Sequence, residues 1–290
     1  MLQWVFIAVA IAATVWLFHW LIRYSLRAPR QLEQGTPAQR GLDFRQVSIP
    51  TARDKTLFGW LIPAPGGAPA PVVAVLHGWG GNAEMMLPLA APLNQAGYAV
   101  LLFDARSHGR SDGDTFASLP RFAEDLDHAL DWLKQQPEVD AARMAVLGHS
   151  VGAGAVLLAA ARRKDLAAVI SVAAFSHPAN MMRRFLAARH VPYLPFGWYV
   201  MHYVQHVIGH RFDAIAPRHT ITQIHCPVLL VHGSDDTIVP VSEAREIHAQ
   251  HLSDAVQLLI LPGEHDSSNE LERHADKLLA FLNQATRTGV

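Results

Sequence analysis

The 290-residue sequence is long enough for one large α/β domain or two small ones, and half of its residues are hydrophobic, so it can bury a substantial core. The formal net charge of -1, without a cluster of lysines and arginines, argues against nucleic-acid binding. The single cysteine, Cys226, cannot form an internal disulfide, so folding does not depend on an oxidising compartment.

The chain begins with an apolar segment, residues 1–22, that contains no Asp, Glu, Lys or Arg and is long enough to cross a bilayer as a helix. Tryptophans lie near its two ends: Trp4, Trp16 and Trp20. A cleaved signal peptide is the alternative, but no basic residue precedes Arg23, and Ala8-Val9-Ala10 is only a weak cleavage-site pattern. We therefore predict an uncleaved transmembrane anchor over residues 1–22.

Three basic residues follow the apolar segment: Arg23, Arg27 and Arg30. By the positive-inside rule they place the C-terminal side of the segment in the cytoplasm and the N-terminus outside. We therefore predict a single-pass membrane protein with a cytoplasmic domain, whereas signal-peptide cleavage would leave a periplasmic or secreted one. Residues 23–43 are polar and contain prolines and glycines, which is typical of a juxtamembrane linker, and the folded domain is predicted over residues 44–286.

Strand and helix patterns alternate through this predicted domain. The predicted strands are residues 44–49, 57–62, 72–76, 99–103, 144–147, 168–172, 228–232 and 256–261. The predicted helices are residues 83–95, 121–135, 151–163, 242–250 and 268–284. The first two strands suit a hairpin, and continuous apolar strands separated by helices indicate a sheet that is buried on both faces. The sequence thus predicts an α/β fold with a doubly wound, mostly parallel sheet of eight strands.

The stretch from Gly148 to Gly152 has the pattern G-x-S-x-G between a predicted strand and a predicted helix. In this context the pattern is typical of a nucleophile elbow, in which a serine sits on a sharp turn at the end of a strand. The turn would expose Ser150 and point the N–H of Val151, at the start of the helix, toward a developing oxyanion. A glycine-rich structural turn is the alternative.

A second glycine-rich turn, His77-Gly78-Trp79-Gly80-Gly81-Asn82, follows the strand predicted at residues 72–76. Here the N–H of Trp79 could aim at the same point as the N–H of Val151, and two such donors would make an oxyanion hole. A phosphate-binding turn is the alternative, although the spacing does not fit G-x-G-x-x-G.

A nucleophilic serine needs a base and a group that orients the base. Two adjacent carboxylates, Asp235 and Asp236, follow the strand at residues 228–232, and His265 follows the strand at residues 256–261. All of them come after strand ends at the same edge of a parallel sheet as Ser150, and the order Ser, Asp, His is the one this architecture uses. Asp104 and Arg106, after the strand at residues 99–103, suit a loop brace better than catalysis.

These motifs together resemble the α/β-hydrolase superfamily, nearer the serine esterase and lysophospholipase-like hydrolases of the serine aminopeptidase type, over roughly residues 44–284. The matched motifs are His77-Gly78-Trp79-Gly80, residues 103–111, Gly148-His149-Ser150-Val151-Gly152, residues 232–240 and Gly263-Glu264-His265. In the family pattern H-G-x-x-D-x-x-V-P the catalytic acid maps to Asp236. Ser107 departs from the pattern, because relatives usually have glycine there.

The resemblance implies a catalytic triad of Ser150, Asp236 and His265 that transfers an acyl group to water, without a metal or organic cofactor. The predicted function is hydrolysis of carboxylic esters, including lipid or other apolar acyl esters. An acyltransferase or peptidase with the same triad, and a non-catalytic membrane-tethered binding protein, are the alternatives. The expected partners are an ester substrate and the membrane.

Residues 175–222 form an insertion that is rich in apolar and aromatic residues and is predicted to be a helical lid over the strand ends. A helical excursion that only packs on the domain is the alternative. His202, His206 and His210 recur every four residues and so could share a helix face, as metal ligands do. We expect no metal there, because no carboxylate or cysteine accompanies them.

Overall fold

A computed structural model describes residues 1–67, 69–266 and 268–287. Eight strands form one sheet in the order β1-β2-β4-β3-β5-β6-β7-β8. The strands are β1 (Arg45–Thr51), β2 (Lys55–Ile62), β3 (Ala70–Leu76), β4 (Ala99–Phe103), β5 (Val139–His149), β6 (Ala168–Val172), β7 (Val228–Gly233) and β8 (Val256–Leu261). β1 and β2 form an antiparallel hairpin, β2 pairs antiparallel with β4, and the remaining pairs are parallel. The predicted mostly parallel sheet of eight strands is therefore confirmed.

Helices cover both faces of the sheet, and the core divides into one apolar cluster on each face. The helices are α1 (Leu2–Ser25), α2 (Leu87–Gln95), α3 (Leu119–Leu133), α4 (Val151–Arg162), α5 (Pro178–Ala188), α6 (Trp198–Ile208), α7 (Pro217–Thr220), α8 (Val241–His248), α9 (Ser268–Arg273) and α10 (Ala275–Arg287). Strands β4 and β6 are buried along their whole length, and β3 is buried except at Pro71, because a helical layer lies on each side of the sheet.

Apart from shifts of one or two residues at element ends, three predicted elements differ from the observed ones. The helix predicted at residues 83–95 begins with a 3₁₀ turn, Ala83–Met86, before α2. The helix predicted at residues 268–284 is two helices, α9 and α10. β5 is longer than the apolar run at residues 144–147. Its first half was not predicted as strand because it is partly exposed and carries polar residues, which hide the apolar pattern.

The long N-terminal helix α1 contains an 18-residue window of mean hydropathy 2.3, of which only 6% is buried. By length and composition α1 could cross a membrane, and a signal sequence passes the same test. Its last turns meet the domain, where Ile22 is buried and belongs to the core cluster that α3 and α4 also join. Residues 26–34, which we call the strap, continue from α1 along the domain, and Glu33 in the strap is 4% exposed.

Candidate active site

Ser150 occupies a sharp turn between β5 and α4, with φ +55° and ψ −115°. The glycines on both sides allow this turn because the backbone is crowded there. A Cβ on Gly148 would lie 2.2 Å from the Gly152 carbonyl oxygen, and a Cβ on Gly152 would lie 2.4 Å from the His77 carbonyl oxygen. A residue other than glycine is strained at such a positive φ, and strained turns of this kind cluster at functional sites. The geometry therefore matches the nucleophile elbow that the sequence predicts.

The structure brings the three predicted triad residues together. His265 Nε2 lies 2.9 Å from Ser150 Oγ, and His265 Nδ1 lies 2.7 Å from Asp236 Oδ2. The second oxygen of Asp236 accepts hydrogen bonds from the N–H groups of Ile238 and Val239, at 2.9 and 2.7 Å. Because the carboxylate of Asp236 can only accept, Nδ1 of the imidazole carries the proton and Nε2 is left to accept one from the serine. The arrangement can deprotonate Ser150.

Trp79 and Val151 line the same cavity as Ser150. Val151 is the first residue of α4, so its N–H has no acceptor within the helix. The turn that carries Trp79 approaches the serine closely, since a Cβ on Gly78 would lie 3.2 Å from the Ser150 Cβ. Both predicted oxyanion donors therefore belong to backbone that adjoins Ser150.

His149 was not singled out from the sequence, where it occupies a variable position of G-x-S-x-G. In the structure its Nε2 lies 2.8 Å from the His265 carbonyl oxygen. A carbonyl only accepts, so Nε2 of His149 donates this bond. Burial lowers the pKa of His149, and so does the repulsion between the two rings when both His149 and His265 carry a proton, which keeps His149 neutral. His149 thus ties the backbone of His265 to the elbow.

Arg106 and Asp104 brace the loop after β4, as the sequence predicts. The Arg106 guanidinium is 1% exposed and pairs with Asp125 at 2.6 Å and with Asp114 at 3.3 Å. Asp104 accepts hydrogen bonds from the N–H groups of Ala83 and Arg110, at 2.7 and 2.8 Å. The Arg106–Asp125 pair fastens the loop after β4 to α3, and the Asp104–Ala83 bond fastens it to the 3₁₀ turn before α2.

The structure explains why relatives usually have glycine where this chain has Ser107. Ser107 has φ +68°, a left-handed conformation that glycine adopts without strain. A hydrogen bond to the Ser107 hydroxyl from the Asp114 N–H, at 2.9 Å, accompanies this conformation. The side chain that glycine lacks is therefore used to hold the loop.

The strap lies against the turn that carries Trp79, and nothing in the sequence singled out these contacts. Asn82 Nδ2 donates to the Gln31 carbonyl oxygen at 3.1 Å, and Pro29 packs so closely on Gly80 that a Cβ there would meet its ring at 2.8 Å. Arg30, one of the three basic residues that follow the apolar segment, donates to the carbonyl oxygens of Gly109 and Ser111. The strap is thus part of the wall around the site.

A cavity of about 860 Å³ opens onto Ser150 and His265. Most of its lining is apolar and comes from four sources: α2, the start of α3, the insertion between β6 and β7, and the strap. The apolar side chains include Met85, Leu89, Leu119, Phe175, Met181, Phe185, Val204 and Ile208. The helices α5 and α6 of the predicted lid therefore contribute to the cavity wall, which suits an apolar ligand.

The histidines at positions 202, 206 and 210 are exposed, and α6 ends at Ile208, before the third of them. Within the described part of the chain, the group whose possible ligand atoms come within 4.8 Å of one another is instead His149, His265 and Asp266. Both ring nitrogens of His265 are already hydrogen-bonded to Ser150 and Asp236. A metal ion bound there would have to break one of these bonds.

Comparison with known proteins relates the chain to hydrolases. Residues 67–207 match the family described as serine aminopeptidase, S33. The chain is 30% identical over 246 residues to the uncharacterised protein Rv2307c of Mycobacterium tuberculosis, covering 85% of this chain and 80% of that protein. Uncharacterised YfhR of Escherichia coli K12 is 26% identical over 232 residues, covering 78% of this chain and 75% of YfhR.

Solved structures show the same architecture. The esterase Pf2001 of Pyrococcus furiosus superposes with a TM-score of 0.73 at 26% identity, covering 90% of this chain and 99% of the esterase. Est1E of Butyrivibrio proteoclasticus, solved with ferulic acid, shares the fold with a TM-score of 0.66 at 23% identity, covering 83% of this chain and 100% of Est1E.

Proposed function

Because this chain belongs to the serine aminopeptidase S33 family of α/β hydrolases, we propose that it is a serine hydrolase that cleaves carboxylic esters through Ser150. Fold and family support hydrolase activity in general. The observation that carries the finer proposal is the continuous chain of hydrogen bonds from Ser150 Oγ to His265, at 2.9 Å, and from His265 to Asp236, at 2.7 Å.

In the proposed first step, Ser150 Oγ attacks the ester carbonyl carbon while His265 Nε2 takes the hydroxyl proton. The negative charge of Asp236 stabilises the imidazolium that results, and the N–H groups of Trp79 and Val151 receive the developing oxyanion. As the tetrahedral intermediate collapses, the ester C–O bond breaks and His265 returns the proton to the departing alcohol.

Water then attacks the acyl-enzyme. His265 takes a proton from this water and gives it to Ser150 Oγ when the acyl–oxygen bond breaks, which releases the carboxylic acid and restores the free enzyme. The step needs only water as a co-reactant.

The proposed substrates are esters with a sizeable apolar acyl group. A cavity of about 860 Å³ with a mostly apolar lining supports this choice, since apolar walls bind a chain through its buried area. The similar protein Pf2001 is described as an esterase. Among the described lining residues the one carboxylate is Asp266, so the cavity is poorly equipped to bind the free amino group of an aminopeptidase substrate.

The test is a chain-length series of p-nitrophenyl esters, monoacylglycerol and lysophospholipid, assayed beside aminoacyl arylamides and a fluorophosphonate probe. We expect ester turnover that rises with acyl length, and probe labelling that Ser150→Ala abolishes. Ser234→Ala, which removes an exposed serine next to the acid loop, is the matched control and should keep both. Labelling that survives Ser150→Ala, or turnover of arylamides alone, would contradict the proposal.

We also propose that α1 remains as a single membrane-spanning anchor with the domain on the cytoplasmic side. Ile22, in the C-terminal turns of α1, is buried in the core of the domain. This supports retention of α1, because cleavage that removed Ile22 would leave core surface exposed. Alkaline extraction of membranes should leave the protein in the pellet, and a protease added to intact cells should not digest the domain.

A further inference from the structure

The turn between α5 and α6, together with the first residue of α6, exposes four large apolar side chains within six residues. We call this surface the aromatic ridge; it consists of Tyr193, Leu194, Phe196 and Trp198, which are 44%, 69%, 51% and 47% exposed. Within the described part of the chain, none of the four lines the cavity over Ser150. Contiguous exposed apolar surface of this kind marks a place that meets another apolar surface.

Helix α6, whose first residue is Trp198 of the ridge, is fastened to the end of α1. The Tyr199 hydroxyl lies 2.6 Å from His19 Nε2, and the Tyr203 hydroxyl accepts a hydrogen bond from Arg23 Nε at 2.8 Å. The rings of His19 and Tyr203 also stack, with centroids 4.3 Å apart. The first turns of α6, which begin at Trp198 of the ridge, therefore lie beside the last two turns of α1.

The position of these contacts along α1 sets the height of the ridge relative to a bilayer. α1 has 24 residues, so it is about 36 Å long, whereas the hydrocarbon core of a bilayer is about 30 Å thick. His19 and Arg23 lie at the C-terminal end of this length, where Trp16 and Trp20 are also exposed. Trp and Tyr are enriched at this level of membrane proteins, where the ring meets both hydrocarbon and headgroups.

Basic side chains lie at the ridge and on the helices next to it. The Arg183 guanidinium lies 5.4 Å from the centroid of the Tyr193 ring, and Arg189 follows at the end of α5. Arg23 and Arg27 supply further charge from the end of α1. Basic side chains around an exposed apolar surface favour a membrane leaflet that carries anionic lipids.

We propose that the aromatic ridge is inserted into the headgroup region of the bilayer that α1 crosses, and that the cavity over Ser150 is loaded from this membrane surface. Val204 and Ile208 of α6 line the cavity, so the helix that touches α1 through Tyr199 and Tyr203 also forms a cavity wall. Leu26 and Arg27, directly after α1, form another part of the lining. Membrane insertion of the ridge rests on the proposal that α1 is an anchor, and the loading step also rests on the proposed esterase function.

The insertion is tested with the full chain in vesicles of phosphatidylcholine and phosphatidylglycerol. In a Cys226→Ala background, an environment-sensitive fluorophore is attached at Leu194→Cys or, as the matched control, at Leu252→Cys. Leu252 is 82% exposed and precedes β8, so it lies at the opposite sheet edge from Ser150. We expect headgroup-attached nitroxide lipids to quench the fluorophore at residue 194 several-fold more strongly than the fluorophore at residue 252.

Equal quenching at the two positions would overturn the insertion. The insertion would also be overturned if the fluorophore at residue 194 reports an apolar environment that changes with the protein-to-lipid ratio but is not quenched by nitroxide lipid. A second copy of the chain would then cover the ridge. Neither readout requires enzyme activity, so the insertion stands or falls separately from the esterase function.

The loading step is tested with Leu194→Asp combined with Phe196→Asp, against Leu252→Asp. We expect the ridge variant to hydrolyse an acyl ester embedded in vesicles at least tenfold more slowly, while both variants hydrolyse a short soluble ester in detergent at the unaltered rate. An equal rate on the vesicle substrate would overturn loading from the membrane. Failure of the unaltered protein to cleave any ester would instead overturn the proposed function and, with it, the loading step.

Discussion

His265 donates a hydrogen bond from Nδ1 to Asp236 Oδ2 over 2.7 Å, and this pairing distinguishes Asp236 from the carboxylate directly before it. Asp235 instead accepts hydrogen bonds from the Ser234 hydroxyl at 3.0 Å and from the Gly263 N–H at 3.3 Å. Asp236 is buried and Asp235 is exposed. Of these two neighbouring acids, Asp236 thus binds the histidine, whereas Asp235 binds only loop residues.

The first prediction concerns these two acids. Asp236→Asn should lower kcat for ester hydrolysis by about 10⁴-fold, because an amide at this position favours the wrong tautomer of His265. Asp235→Asn should leave kcat nearly unchanged, since Asp235 holds only the loop. Steady-state kinetics on one ester, with circular dichroism to show that both variants fold, decide the matter. An equal loss in both variants would refute the assignment of the acid.

The second prediction concerns His149, which donates to the His265 carbonyl oxygen at 2.8 Å. His149→Ala should lower kcat by between about 10-fold and 10²-fold, because His265 loses the hydrogen bond that positions it. His149→Gln should recover much of the rate, since its amide can donate in place of Nε2. A loss that appears only in the melting temperature would mean that the bond is merely structural.

The third prediction concerns the contact between the strap and the turn that carries Trp79. Gly80 has φ +74°, and a Cβ there would lie 2.8 Å from Pro29 Cγ. Gly80→Ala should therefore cost about 1–2 kcal/mol of stability for its backbone and, in addition, lower kcat by moving the strap or the turn. Gly97→Ala is the control, because Gly97 has φ +91° with no atom within 4 Å.

Urea unfolding and ester kinetics on the two glycine variants separate the effects. Both variants should lose stability, and only Gly80→Ala should lose activity. Full activity of Gly80→Ala would show that the strap does not support the site.

The fourth prediction concerns pH and the attachment of the strap. Burial, and next a hydrogen bond and repulsion from the Glu33 carboxyl, raise the pKa of Asp104 to about 8. A carboxyl whose pKa is raised in the folded state keeps a proton that the unfolded chain has lost. Its contribution to stability is therefore present at low pH and is lost as the pH rises from about 4 through 8.

Glu33→Gln tests this dependence, because an amide at residue 33 removes the neighbouring acid. The variant should lose less free energy of unfolding than the unaltered protein between pH 6 and pH 9, measured by urea unfolding. Glu84→Gln is the matched control: Glu84 lies in the 3₁₀ turn before α2 and contacts the same strap, where its carboxylate accepts a hydrogen bond from the Gln34 N–H at 2.6 Å. An unchanged pH dependence in Glu33→Gln would contradict the role of this pair.

The fold was predictable from the sequence because its signals are local. Buried parallel strands such as β4 and β6 are short apolar runs, and their observed bounds coincide with the predicted ones. β5 was predicted too short because its exposed half lacks an apolar pattern. The candidate triad was also predictable, since a parallel sheet brings the loops after its strand ends to one edge.

What the sequence alone determined is therefore the order of strands and helices and the residue types that follow each strand end, including Ser150, Asp236 and His265. Only the tertiary structure decided which generic side chains support them: His149 bonds to a carbonyl 116 residues away, and Asn82 bonds to the strap 51 residues before it. Such contacts use a backbone carbonyl, a proline ring or an exposed tyrosine, and these groups belong to no sequence motif that would predict their partners. Their partners are set by how the layers pack, and packing depends on residues that are distant in the chain.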